Sequence, residues 1–164
     1  MKTLTILRHG KSSRNDVGLS DYERPLAPRG EADAPIMAER ITDAGIRPSL
    51  IMSSPAARAW STAKLFARAI SYPVEFLQRE DRLYLASLDK LLDVMAEQDP
   101  AFNSVVVVGH NPGLTELANH LLPGVTDSIP TCGIVSLNIE IDTWDLRQRS
   151  PIELGFCDSP GSTA

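Results

Sequence analysis

Leu4-Thr5-Ile6-Leu7-Arg8-His9-Gly10-Lys11-Ser12-Ser13 decides how the 164-residue chain is read: a short apolar run breaks off into charge, glycine and hydroxyls. Three later runs have the same apolar character, at 50–52, 74–77 and 105–108. Apolar without alternation, they suit strands of a sheet covered on both faces. Helical spacing fills the gaps. Residues 31–44 place Ala34, Met37, Ala38 and Ile41 on one face and stop at Gly45. Residues 56–70 repeat the pattern with Ala59, Ala63, Phe66, Ala67 and Ile70, and Ser54 is the expected cap with Pro55 in the first helical position. Residues 88–96 and 114–122 supply two more helices, the last closed by Pro123-Gly124. A fifth strand, 134–141, alternates apolar with polar residues and is expected near a sheet edge. Strands alternating with helices predict an α/β fold: a single three-layer domain over 1–157, with a mostly parallel sheet flanked by helices, and a small polar, flexible tail over 158–164.

Composition limits the partners. Hydrophobic residues at 43% and charged residues at 23% are an ordinary globular balance, and this length can bury one core. A net charge of −5 without a Lys/Arg-rich run argues against a nucleic-acid or membrane-surface binder, and no stretch of about 18 apolar residues is present to span a bilayer. Cys132 and Cys157 are too few for a disulfide scaffold, and Arg8 and His9 interrupt the N-terminal segment before a secretory apolar core can form. The expectation is a cytoplasmic protein. The charge is unevenly spread. Residues 1–15 hold Lys2, Arg8, Lys11 and Arg14, and residues 44–74 hold Arg47, Arg58, Lys64 and Arg68, neither window with an acid. Such windows either gather positive charge for an anion or are chance clusters of solvated side chains.

In open α/β sheets ligands bind beyond the carboxyl ends of the parallel strands. Arg8-His9-Gly10-Lys11-Ser12-Ser13 follows the first run, Ser53-Ser54-Pro55-Ala56-Ala57-Arg58 the second, and Gly109-His110-Asn111-Pro112-Gly113 the run at 105–108. Two of the three histidines and two arginines therefore converge on one sheet edge. Arg58 sits in a first helical turn, where the macrodipole disfavours a cation, a placement that makes sense if an anion shares the site. Gly10 and Gly109 either are simple turn glycines or let the backbone approach that anion, Ser12 and Ser13 either cap a loop or donate to it, and the helix start at 112–115 would offer N–H groups. Arginines and free N–H groups suit a phosphoryl group. A neutral imidazole among cations is a usable nucleophile, because the cations disfavour its protonation. The set points to in-line phosphoryl transfer to histidine, then hydrolysis of the phosphoimidazole.

Arg8-His9-Gly10, Ser53-Ser54-Pro55-Ala56-Ala57-Arg58-Ala59-Trp60-Ser61-Thr62-Ala63 and Val108-Gly109-His110-Asn111-Pro112-Gly113 resemble the signature of the histidine phosphatase (phosphoglycerate mutase-like) superfamily. Within it the chain is most similar to the SixA type of phosphohistidine phosphatase. The residues that carry this are Arg8 to Ser13, Asp21-Tyr22-Glu23-Arg24-Pro25-Leu26 with Arg29-Gly30, and Leu83-Tyr84-Leu85-Ala86. The resemblance implies that fold, His9 as the transiently phosphorylated nucleophile, and Arg8, Arg58 and His110 on the phosphoryl oxygens, with a further hydrogen bond from Asn111. Lys11 and Arg14 would meet the rest of the substrate or form a solvated rim.

The general acid is the gap in the resemblance. Glu80 and Asp81 are the candidates, and ordinary surface charge is the alternative for both. There is no room for the long insertion that covers the site in the mutases, so an open site is expected, suited to a protein-borne phosphohistidine. A small phosphate ester is the alternative substrate. A non-catalytic phospho-ligand module is a third reading, opposed by the presence of both His9 and His110. No cofactor is implied: the spacing of His, Cys, Asp and Glu resembles no zinc site, and neither nucleotide-binding glycine motif is present. His120 is expected to be structural or exposed, and Trp60 and Trp144 to serve packing.

Overall fold

The computed structural model describes residues 1–161. β1 (Lys2–Arg8) lies in the middle of a six-stranded sheet of order β3-β2-β4-β1-β5-β6. It pairs in parallel with β4 (Ser104–Gly109) and antiparallel with β5 (Ile134–Ile139). Beyond β4 lie β2 (Leu50–Ser53) and the two-residue β3 (Gln78–Arg79), both parallel, and beyond β5 lies the antiparallel β6 (Ile152–Asp158).

Successive strand residues feed opposite cores. Leu4, Ile6, Met52, Val105 and Val107 pack with α3 (Leu88–Ala96), α4 (Gly113–Leu121) and the buried Trp144. Leu7, Ile51, Val106 and Val108 pack with α1 (Pro28–Asp43) and α2 (Ala57–Ala69). With both faces covered, alternation disappears from the sequence, and this is what the uninterrupted apolar runs encode. Thr5, buried in the midst of β1, is satisfied by the Ser136 hydroxyl at 3.0 Å.

Several expectations need correction. Residues 74–77 are not a strand. Val74–Phe76 is a 3-10 turn entered from Pro73, Phe76 is 65% exposed, and the strand is displaced to Gln78–Arg79. Strand β5 lies near the edge as expected, one strand in; the edge itself is β6, which was not foreseen. The signal for β6 was the alternation of Ile152, Leu154 and Phe156, blurred by a bulge that shifts the register between Ser136 and Leu137. The polar segment from Asp158 starts as structure: Arg40 of α1 bonds the Asp158 carboxylate at 3.0 Å and the Ser159 carbonyl at 2.9 Å. The rest of that expectation, at 162–164, lies outside the described residues. Among the described residues no helix is long and apolar enough to cross a membrane.

The segment after β1 is zipped to the approach of α1. Ser13 N donates to Pro25 O and Ala27 N to Lys11 O, both at 2.8 Å, and Ser12 bridges Leu26. Gly30 makes this approach possible, since a Cβ there would overlap the Lys11 carbonyl oxygen. Gly30→Ala gains about 1 kcal/mol of helix propensity, yet should lose roughly 1–3 kcal/mol to the forced displacement of Lys11. The check is a lower denaturant midpoint at unchanged m-value; an equal or higher midpoint contradicts the close packing.

Candidate active site

Strands β1, β2 and β4 end side by side, and backbone hydrogen bonds continue past them: His9 N to Gly109 O at 3.1 Å and Ser54 N to Val108 O at 3.0 Å. This register brings His9, Ser54 and His110 together. His9 is 7% exposed and its Nδ1 lies 2.7 Å from the Gly10 carbonyl oxygen. A carbonyl only accepts, so Nδ1 carries the proton and Nε2 keeps its lone pair. Arg58 Nε–H points at that lone pair from 3.4 Å. The same guanidinium donates from Nη2 to His110 Nδ1 at 3.4 Å, which leaves the His110 proton on Nε2, donated to Ser54 Oγ at 2.7 Å. The two rings stand 5.2 Å apart.

Both imidazoles are held neutral. Burial is the main cause for His9, assisted by Arg58, Arg8 and Arg24 and opposed by its bond to Gly10, and the result is a pKa of about 4. Burial, then the neighbouring His9 and Arg58, takes His110 to about 3, against the pull of Asp21.

Arg58 is itself buried, 3% exposed, and its position is set by Asp21. Nη1 donates to the Asp21 carbonyl at 2.6 Å and Nη2 to its carboxylate at 3.0 Å. That carboxylate also accepts from the Tyr84 hydroxyl at 2.6 Å and pairs with Arg24 at 3.3 Å. Its hydrogen bond from Tyr84, with Arg58 and Arg24 adding to it, holds the Asp21 carboxyl below the usual range. Arg8 donates from Nη1 to Ile129 O at 3.1 Å, while its buried Nε has no acceptor among the described residues. An unsatisfied cationic donor beside an unprotonated imidazole suits an anion's oxygen.

These groups face a cavity of about 200 Å³. Arg8, His9, Lys11, Ser12, Arg14, Arg58, His110 and Asn111 all line it, with Arg24, Leu85 and Thr131. Five of these residues are basic and none is a carboxylate. Sequence reasoning missed Arg24 and Thr131 as lining residues, and Asp21, Ser54 and Tyr84 as supports. Asp21 and Arg24 lay within the motif that carried the family resemblance, but no local pattern shows that a loop carboxylate will meet an arginine 37 positions on.

Other expected residues have different partners or positions. Gly10 is not a phosphate contact: its N–H donates to Thr62 Oγ1 at 3.0 Å, and a Cβ would come 2.9 Å from Gly30 Cα, so glycine serves packing. Asn111 has both ends of its amide engaged, Nδ2 with Ile129 O at 2.9 Å and Oδ1 with Thr115 Oγ1 at 2.8 Å, so it braces the cavity wall. Glu80 is clamped by Arg82 at 2.7 Å and kept ionised by it, and Asp81 is 86% exposed; neither lines the cavity. Ser54 does not cap a helix from the expected place, since α2 begins at Ala57 and the hydroxyl is taken by His110. Of the basic window 44–74 only Arg58 reaches the cavity; Arg47, Lys64 and Arg68 border other clefts. Among the described residues no group of His, Cys, Asp and Glu could hold a metal ion.

Comparison with known proteins bears on the family and the fold. Residues 4–83 match the family model of the histidine phosphatase superfamily (branch 1). An uncharacterized protein of Picosynechococcus sp. is 30% identical over 140 residues, 82% of this chain and 83% of that protein. Among solved structures, an Agrobacterium tumefaciens protein named for the phosphohistidine phosphatase SixA superposes with a TM-score of 0.80 at 28% identity, covering 98% of this chain and 99% of that one. The mycobacterial glucosyl-3-phosphoglycerate phosphatase shares the fold at a TM-score of 0.67 and 18% identity, over 94% of this chain and 97% of its own. The chain belongs to the histidine phosphatase superfamily.

Neutral buried imidazoles have a measurable signature. Ring-nitrogen NMR should show His9 and His110 unprotonated until the pH falls to about 4 and about 3. The unfolded chain takes up those protons from its ordinary value of 6.5 downward, so it binds more protons than the native state in this window and stability should fall as pH drops from there. A midpoint near the ordinary value for either ring contradicts the arrangement.

Proposed function

We propose that this protein is a phosphatase of phosphohistidine-bearing proteins, working through a phosphoryl intermediate on His9. The observation that carries the reading is the lining of the cavity: a nucleophile and five cations, without a carboxylic acid. Hydrolysis of an alkyl phosphate needs a proton for a strongly basic leaving oxygen. A phosphohistidine instead releases an imidazole, a far weaker base that leaves with a proton on its far nitrogen.

In the first step the His9 Nε2 lone pair attacks phosphorus in line as the P–N bond to the substrate imidazole breaks. One P–N bond replaces another, so little driving force is needed. Arg8 and Arg58 donate to the peripheral oxygens where charge spreads. The bound dianion opposes the burial that keeps His110 neutral, and protonation at Nδ1 turns that ring into a further donor. In the second step water attacks the phosphoryl group on His9 and releases phosphate. Lys11 and Arg14, exposed at the mouth, meet the carrier protein. Free Cys132 and Cys157 fit a reducing, cytoplasmic setting.

Rapid quenching with a labelled, histidine-phosphorylated phosphotransfer protein should trap an acid-labile phosphoryl group on His9, and His9→Ala should abolish both adduct and turnover. Turnover confined to small phosphate esters sinks the substrate assignment, and turnover without an adduct sinks the mechanism. Chelators should leave activity intact, whereas vanadate should inhibit. Asp21→Ala, which frees Arg58 and Arg24 without touching a reacting atom, should lower kcat by about 10²-fold. Wild-type kcat in that variant would show that Arg58 is positioned by other contacts.

A further inference from the structure

Tyr84-Leu85-Ala86 links the 3-10 turn Asp81–Leu83 to α3, and Leu85 within it lines the cavity. Leu85 has φ of 48°, in the left-handed region where its Cβ crowds the following carbonyl oxygen. Its neighbours hold it there. Tyr84 is tied to Asp21 through its hydroxyl and lies edge-on to His110, 5.5 Å between ring centroids. On the other side the Ala86 carbonyl oxygen rests on Gly113 so closely that any Cβ there would overlap it. Leu85 itself stays 55% exposed and is the one aliphatic side chain lining a cavity otherwise made of polar and basic groups. The residue is unfavourable for folding twice over, in its backbone and in its exposure. Gly or Asn would be easier to accommodate at that φ. Strain and apolar exposure held together at a cavity mouth mark a contact with a ligand.

We propose that Leu85 is a specificity residue that packs against the body of the phosphohistidine-carrying protein and favours protein-borne over free phosphohistidine. The inference rests on the function proposed above. Lys11, Arg14 and Arg24 line the same cavity as Leu85, so cations and an apolar group occur together at its mouth. The matching surface is an apolar patch with acidic residues around the phosphorylated histidine.

The test compares two substrates that share the same P–N bond: free phosphohistidine and a histidine-phosphorylated phosphotransfer protein. For each enzyme the ratio of kcat/KM, protein over free amino acid, isolates the contact with the carrier. Leu85→Gly should lower this ratio about tenfold, mainly through KM on the protein. Its melting temperature should change little, because relief of the left-handed strain offsets the added freedom of the unfolded chain. Leu85→Asn, also at ease in this conformation, should lower the ratio similarly, and Leu85→Met should restore most of it. A wild-type enzyme that leaves the phosphorylated protein intact overturns the proposed function and this inference with it. A wild type active on the protein, with the ratio unchanged in Leu85→Gly and Leu85→Asn, overturns this inference alone.

Discussion

A guanidinium buried between two imidazoles is the interaction on which the site depends. Arg58 points Nε at the His9 lone pair and Nη2 at that of His110, each at 3.4 Å, and reaches out to Asp21 with Nη1 and Nη2. A cation this buried needs a counter-charge, and Asp21, at the half-exposed margin, provides it without entering the cavity. The consequence is electrostatic order. Burial, with the cation assisting, keeps both rings unprotonated, the rings offer only lone pairs, and the long contacts between them are weak enough to yield to an anion. The field is prepared before the substrate arrives, so little reorganisation is left for the reaction.

The surrounding elements keep that geometry rigid. The ends of β1 and β2 are locked onto β4 by hydrogen bonds that run one residue past each of the two. Asn111 joins the start of α4 to the backbone at Ile129, and Ile129 O in turn receives Arg8. Thr62 links Gly10 to the carbonyl of Arg58. The His9 loop, the Arg58 helix and the segment after His110 are therefore each tied to a neighbouring element by hydrogen bonds. At the rim, by contrast, Lys11 and Arg14 are exposed.

Much of this was legible in the chain. Apolar runs without alternation announced strands buried on both faces, and the helices at 88–96, 56–70 and 114–122 lie within a residue of their expected limits. The convergence of Arg8, His9, Arg58 and His110 followed from one rule about strand ends in α/β sheets. Elsewhere local signals misled. Residues 74–77 are apolar enough for a strand, but four residues carry too little periodicity to separate a strand from a turn, and Pro73 decided for the turn. Glu80 stood near the expected place of a general acid, yet its partner Arg82, two residues on, holds it ionised outside the cavity.

By itself the sequence determined the fold class and the family and pointed to His9 as the candidate nucleophile, because these depend on periodicity and on residues a few positions apart. Only the tertiary structure decided what stands around that nucleophile. It placed Asp21 and Tyr84 behind Arg58, drew Arg24 into the cavity and kept Glu80 and Asp81 out. It also turned Ser54 from a helix cap into the partner of His110, and left Leu85 strained and exposed at the mouth. The reason is physical. Protonation states and contacts at the site arise from burial and from charges that meet across 37 to 63 residues of chain, and such distances leave no pattern along the sequence.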